Sequence, residues 1–191
     1  MQLFFASFFA RLSRLFPKQR SFRVGGMSAR FFVPFFNHYV TSDLIEIKAR
    51  AREPYLYQWL DGLEDGAVLF DVGTSYGQES VLASSKDITV VGFDCSLVGA
   101  HLCALNKRLN DDRFRLVVAA VAETSGQMIT ITTNSDTHIP SLHKKNVPYS
   151  YEVSTLALDD FARANALAPT HLKIDVDGAE MGVLKGAASL L

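Results

Sequence analysis

Three apolar runs in this chain each close on aspartate: Val68-Leu69-Phe70-Asp71-Val72-Gly73, Thr89-Val90-Val91-Gly92-Phe93-Asp94 and His171-Leu172-Lys173-Ile174-Asp175-Val176-Asp177. At the carboxyl ends of parallel strands, side chains face the crevice where ligands bind. Carboxylates repeated there point to a ligand carrying hydroxyl or amino donors. The first run opens the turn Asp71-Val72-Gly73-Thr74-Ser75-Tyr76-Gly77, where two glycines four apart allow a sharp bend and close backbone approach to a ligand. The helix expected next offers free amide N–H groups. A third, correctly spaced glycine is missing, which argues against a dinucleotide site and a nicotinamide oxidoreductase. Alone, the turn also fits an ordinary strand-to-helix connection.

Asp94 follows Asp71 by 23 residues, near the offset of about 20 at which an acid grips ribose hydroxyls in nucleoside-binding α/β folds. Its other reading is a helix N-cap, a role Ser96 is better placed to fill. The segment Lys173-Ile174-Asp175-Val176-Asp177-Gly178-Ala179-Glu180 packs one base and three acids around a strand end. Desolvation and mutual repulsion there would raise one carboxyl towards catalytic use. The plainer reading is a solvated loop with Glu180 at a helix N-terminus. Asp159-Asp160 reads as a helix start. The five histidines show no metal-binding spacing, so no metal site is expected, and the stretch around His138 and His143 reads as a substrate-side loop.

These residues need a scaffold, and the pattern supplies one. Strands are expected at Ala67–Val72, Ile88–Phe93, Phe114–Val121, Met128–Thr133, Tyr151–Leu156 and Leu172–Val176. Helices are expected at Ser42–Arg50, from Pro54, at Gln78–Ser85, Leu97–Leu109 and Asp159–Ala166, and from Ala179. Val98, Leu102, Leu105 and Leu109 give the Leu97–Leu109 helix one apolar face. Alternation of this kind argues for a parallel, doubly wound α/β sheet.

At 191 residues and 48% hydrophobic composition, one globular domain with a real core is expected. Cys95 and Cys103 form no C-x-x-C pair and read as reduced thiols of a cytoplasmic protein. The net charge of −1 conceals an asymmetry. Residues 1–42 carry six basic residues and no acid, leaving 13 basic against 20 acidic, or −7, for 43–191. Ten of the 14 phenylalanines precede position 37. We therefore divide the chain into a basic, Phe-rich segment (1–42) and a second domain (43–191). Residues 3–16 read as an amphipathic helix, and 21–42 as an aromatic, loop-like connector. That helix, or residues 3–20 more broadly, fits an interfacial membrane contact. It also fits a helix packed on the domain or on a partner, the commoner use of an amphipathic helix, and its composition suits a targeting peptide too. Its apolar run is too short to cross a bilayer. Negative charge beyond the N-terminal segment argues against nucleic acid.

The ordered blocks resemble the FkbM-type family of S-adenosylmethionine-dependent methyltransferases from about Gly66 onward. The resemblance rests on Phe70 to Gly77, Val91-Gly92-Phe93-Asp94, Asn106 with Asn110, Val118-Ala119-Ala120-Val121, Leu158-Asp159-Asp160-Phe161, Lys173 to Glu180, and Val183-Leu184-Lys185-Gly186-Ala187. It implies a Rossmann-like class I fold with S-adenosylmethionine as cofactor. The turn carrying Asp71, Gly73, Ser75 and Gly77 would hold the methionine part and Asp94, beside Cys95, the ribose diol. Ala119 and Ala120 would lie by the adenine. Asp175, with Asp177 and Glu180 as alternates, would serve the methyl acceptor as base or orienting group. Ser75, Asp94, Cys95 and Asp177 depart from the family's usual asparagine, glutamate, proline and glutamate. The acid swaps keep charge and shorten reach by one methylene. Cys95 reads as a small apolar filler.

The reading is an O-methyltransferase acting on a hydroxyl of a saccharide, lipid-linked glycan or polyketide. Its alternative is a non-catalytic methyltransferase-like fragment bound to a membrane or partner protein. The chain ends inside the helix after the Asp175 strand, so a sheet truncated after its fourth core strand is expected. The oligomeric state is left open.

Overall fold

The computed structural model describes residues 19–33, 38–133 and 149–191. The expected helix at 3–16 lies outside them, as do His138 and His143. The described part begins with a hairpin where a loop-like connector was expected. Strands β1 (Gln19–Val24) and β2 (Met27–Phe32) pair antiparallel around Gly25-Gly26. The Asp61 carboxylate accepts the Gly26 N–H at 3.0 and 3.1 Å and fixes that turn. Period-two alternation puts Phe22, Val24, Met27, Ala29 and Phe31 on one buried face. Gly25, Gly26 and Pro34 made this stretch read as a loop in the sequence.

Helices α1 (His38–Lys48) and α2 (Pro54–Asp61, with proline in its first turn) follow. The boundary drawn at 42/43 falls inside α1. Val40, Leu44 and Ile47 of that helix share one apolar cluster with the hairpin, Tyr57, Leu60, Leu69 and Val90. Then come β3 (Val68–Val72), α3 (Gln78–Ala83), β4 (Thr89–Asp94), α4 (Leu97–Leu109) and β5 (Arg115–Val118). β6 (Ala120–Val121), β7 (Met128–Thr133), β8 (Tyr149–Leu156), α5 (Leu158–Asn165), β9 (His171–Ile174) and α6 (Glu180–Lys185) complete the described elements.

Four strands form a parallel sheet in the order β5-β4-β3-β9. Strand order reverses beside β3, since β4 lies on one side and β9 on the other. That reversal opens a crevice at the carboxyl ends of β3 and β9. Alternation along the strands separates two cores. Leu69 and Val90 face the cluster shared with the hairpin, α1 and α2. Phe70, Val72, Val91 and Phe93 face Phe161 of α5 and Val183 of α6. Phe70, Phe93 and Phe161 meet edge-to-face, with ring centroids 4.9 to 5.7 Å apart.

The strand expected at Phe114–Val121 is divided. The chain leaves the parallel sheet at Ala119, whose N–H still reaches the Asp94 carbonyl at 3.0 Å. Beyond it, β6 joins a second sheet of order β6-β8-β7, parallel to β8, while β7 runs antiparallel to β8.

Helix α4 starts where expected, with Ser96 Oγ accepting the Gly99 N–H at 3.0 Å. Its buried face is Ala100, Cys103 and Asn106, rotated from the expected leucine stripe. Asn106 explains the rotation. Its Oδ1 accepts the Phe32 N–H at 2.7 Å and its Nδ2 donates to the Tyr76 carbonyl at 2.8 Å. Asn110 likewise binds the Arg30 N–H and carbonyl at 2.9 and 2.7 Å. Two amide side chains thus act as a ladder on the outer edge of β2, joining the hairpin to α4.

Phe31 is fully buried and packs edge-on against Phe22 and Tyr76 at 5.7 and 6.4 Å. Phe31→Ala is expected to cost about 3–5 kcal/mol, the range for removing a core phenylalanine. Urea denaturation checks this, and a cost under about 1 kcal/mol, typical of surface positions, would place the hairpin outside the core.

Candidate functional site

Below the crevice lies a buried ionic cluster. Asp71 on β3 and Lys173 on β9 are direct register partners, with Lys173 Nζ 3.0 Å from Asp71 Oδ1. Asp71 is fully buried and also accepts hydrogen bonds from Thr74 Oγ1 at 3.0 Å and Ser80 Oγ at 2.6 Å. Lys173 donates further to the Gly73 carbonyl at 3.1 Å. Burial alone would lower the Lys173 ammonium, but the carboxylates of Asp71 and Glu79 outweigh it and hold the group well above its ordinary value. Asp71 was expected among the cofactor contacts. It instead lies beneath the crevice floor and holds the turn above it.

Gly73 makes that floor possible. Its φ is +82°, and a Cβ there would come within 1.8 Å of the Asp175 carbonyl oxygen. A side chain would drive the β3 and β9 tips apart. Gly77, also expected at the cofactor, adopts φ +85° as the N-cap of α3 and faces Cys103 Sγ of α4, not the crevice.

Above the floor a cavity of about 450 Å³ opens at the strand tips. Of the residues expected at the site, Gly73, Ser75, Asp94, Cys95, Ala119, Ala120, Asp175 and Asp177 line it together. Val98 and Leu102 of α4 and Ile129 and Ile131 of β7 add apolar walls beside Ala119 and Ala120. Asp94 Oδ2 accepts the Ser75 N–H and Oδ1 the Ser96 N–H, both at 2.6 Å. Each carboxylate oxygen can accept a second donor, so both remain competent to bind a diol. Burial raises the Asp94 carboxyl, an effect that the Ser96 and Ser75 amides oppose. Cys95 is held by its neighbours: its carbonyl accepts the Tyr151 hydroxyl at 3.1 Å, and burial pushes its thiol up to about 12. A thiol held protonated in this way is a poor nucleophile.

Asp175 has a 60% exposed side chain, 3.9 Å from Lys173 Nζ. Glu180 does not line the cavity. Its Oε1 accepts the Gly178 N–H at 3.0 Å, and that hydrogen bond holds its carboxyl below the ordinary range. Asp159 and Asp160 open α5 as expected and bind the Ser189 N–H and the Ser125 hydroxyl.

The carboxyl lifted towards neutrality is Glu79 of α3, to about 7, chiefly by burial and against the pull of Lys173. Its Oε1 accepts the Tyr57 hydroxyl at 2.7 Å, and its Oε2 lies 3.9 Å from Lys173 Nζ without a hydrogen bond. Nearby, buried Asp43 of α1 accepts the Tyr76 hydroxyl at 2.7 Å and pairs with Arg52. Val40, Arg52 and Glu53 complete the cavity wall. Sequence reasoning missed Tyr57, Asp43, Arg52, Gln78 and Glu79. Gln78 and Glu79 directly follow the glycine turn, which was the available signal. Asp43 and Arg52 fall in a stretch with no motif.

Residues 81–191, more than half of the chain, match the family described as the methyltransferase FkbM domain. The chain belongs to the FkbM methyltransferase family. The matched span carries β4 and its Asp94, the Ala119-Ala120 corner and the β9 tip, whereas the β3 turn lies just upstream. A SAM-dependent methyltransferase from Agrobacterium tumefaciens is similar at a TM-score of 0.38 and 13% identity, over 53% of this chain and 32% of that one. The likeness thus spans about a third of that protein's length. No curated protein matches the chain. Within this FkbM domain, no described helix is long and apolar enough to cross a membrane.

The Glu79 carboxyl yields a pH-dependent prediction for this chain. Its folded value, about 7, exceeds its ordinary 4.5. The stability it contributes is complete at acid pH and is lost as pH rises from 4.5 through about 7. Glu79→Gln mimics the protonated form and keeps an acceptor for Tyr57. Its stability relative to the parent is expected to rise across that window by on the order of 3 kcal/mol and then level off. Urea denaturation of both proteins at several pH values measures it, and a pH-independent difference would contradict the shift.

Proposed function

We propose that this domain binds S-adenosylmethionine in the strand-tip cavity and transfers its methyl group to a hydroxyl, with a saccharide, lipid-linked glycan or polyketide as acceptor. One observation carries the reading: Gly73, Ser75, Asp94, Ala119, Ala120 and Asp175, drawn from separate segments, line a single cavity at the point where strand order reverses. The residues present fit the cofactor. Ala119, Ala120, Val98 and Leu102 offer an apolar slot for a flat base, and Asp94 retains acceptor capacity for a diol. When bound, the cofactor supplies a methyl group on an electron-poor sulfonium.

The chain's own contribution is orientation and proton removal. With the cofactor bound, the cavity walls would hold an acceptor hydroxyl beside the transferable methyl group, and that positioning would remove part of the barrier. Asp175 is exposed at the β9 tip and anchored near Lys173, so it can accept the hydroxyl proton as the new bond forms. Asp177 lines the same rim, and its carboxylate can orient a polyhydroxylated acceptor. Glu180 is committed to the Gly178 amide and is set aside as an alternate base.

Isothermal calorimetry tests the reading. Asp94→Ala is expected to weaken S-adenosylmethionine binding roughly 10- to 100-fold, the worth of hydrogen bonds to a charged group. Asp175→Asn is expected to keep cofactor affinity while lowering methyl transfer to a glycan acceptor by about 10²–10⁴-fold. If the well-folded parent protein shows no binding heat, the proposal fails.

A further inference from the structure

The cavity contains a buried polar atom that the protein leaves unbound. Gln78 is 4% exposed, lines the cavity, and its Oε1 accepts no hydrogen bond. A buried acceptor without a donor costs about 1–3 kcal/mol, and each such group in a native fold calls for a partner. A ligand donor is the natural one here, because the side chain follows directly on the turn that shapes the cavity floor.

The distribution of charge says what else that ligand carries. Among the described residues lining the cavity, Arg52 is the single lysine or arginine, set against Glu53, Asp94, Asp175 and Asp177. Its guanidinium is pinned by Asp43, which the Tyr76 hydroxyl also binds at 2.7 Å. Lys173 is engaged below the floor with Asp71 and the Gly73 carbonyl. Four of the turn amides are occupied as well. Gly73 and Thr74 donate to the Phe93 carbonyl, Ser75 to Asp94, and Gly77 to the Thr74 carbonyl, at 2.6 to 3.0 Å. A ligand carboxylate arriving above this turn therefore finds none of those four amides free, and Arg52 is the cation in reach of the cavity.

We propose that Gln78 and Arg52 clamp the amino-acid end of the cofactor. Gln78 Oε1 accepts from the α-ammonium, and the Arg52 guanidinium donates to the α-carboxylate, a planar pairing suited to arginine. The clamp rests on the cofactor reading above and assigns the methionine end to side chains on α3 and the α1–α2 connection, not to the turn's backbone.

Calorimetry with two probes tests it: S-adenosylhomocysteine, which has the amino-acid end, and 5′-methylthioadenosine, which lacks it. Gln78→Leu and Arg52→Gln are each expected to weaken S-adenosylhomocysteine about 10-fold or more while leaving 5′-methylthioadenosine within roughly twofold. Gln78→Glu keeps an acceptor and is expected to stay within about threefold of the parent for both probes. Unchanged S-adenosylhomocysteine affinity in Gln78→Leu overturns the clamp and leaves the cofactor reading standing. Equal losses for both probes also overturn it, since they mark a structural role. Binding of neither probe by the parent protein removes the cofactor reading and the clamp together.

Discussion

Lys173 and Asp71 meet across neighbouring strands with their charged groups 3.0 Å apart and both side chains almost wholly buried. Taking two such charges out of water is expensive, and the attraction between them offsets that cost only with good geometry and further hydrogen bonds. Here the further bonds exist: Thr74 and Ser80 serve Asp71, and the Gly73 carbonyl serves Lys173. Losing either partner would leave an uncompensated buried charge, worth about 3–5 kcal/mol. The pair spans the two strands between which the chain order reverses, so the same interaction that joins β3 to β9 also sets the floor of the crevice. Gly73 then lets the β9 backbone approach closely enough for the pair to form.

From that floor a polar network runs outward into elements that precede the sheet. Glu79 touches Tyr57 of α2, while Tyr76 touches Asp43 of α1, which holds Arg52 at the cavity wall. Asn106 and Asn110 tie the hairpin to α4. The N-terminal elements are thus part of the machinery that shapes the site. Cavity geometry depends on hydrogen bonds that span up to 80 residues of sequence. Such a network is cooperative in a low-dielectric interior, where each satisfied bond polarises the next.

Strand and helix positions from Val68 onward were largely legible, because parallel strands buried on both faces read as apolar runs ending in turn residues. The aspartates at the tips of β4 and β9 were legible as cavity residues for the same reason. Asp71 misled because a strand-end carboxylate looks alike whether it faces a ligand or a lysine on the next strand. Which one it meets is decided by the register of β3 against β9, a contact across 102 residues of sequence. The divided strand at Ala119 was invisible, since no breaker residue marks it and pairing with β8 alone redirects the chain. The hairpin was missed because Gly25, Gly26 and Pro34 made the stretch read as a loop. Arg52 carries no motif and Gln78 only its place after the glycine turn, and the folded chain brings them to one cavity.

The proposed cofactor site rests on the buried Asp71–Lys173 pair, which joins the β3 and β9 tips beneath the pocket. A crystal structure of the protein with S-adenosylhomocysteine tests it most directly. The account requires the nucleoside between Asp94 and the Ala119-Ala120 corner, with Lys173 still paired to Asp71 beneath it. Ligand density elsewhere, or a Lys173 side chain swung up into the pocket to meet the ligand, would contradict it.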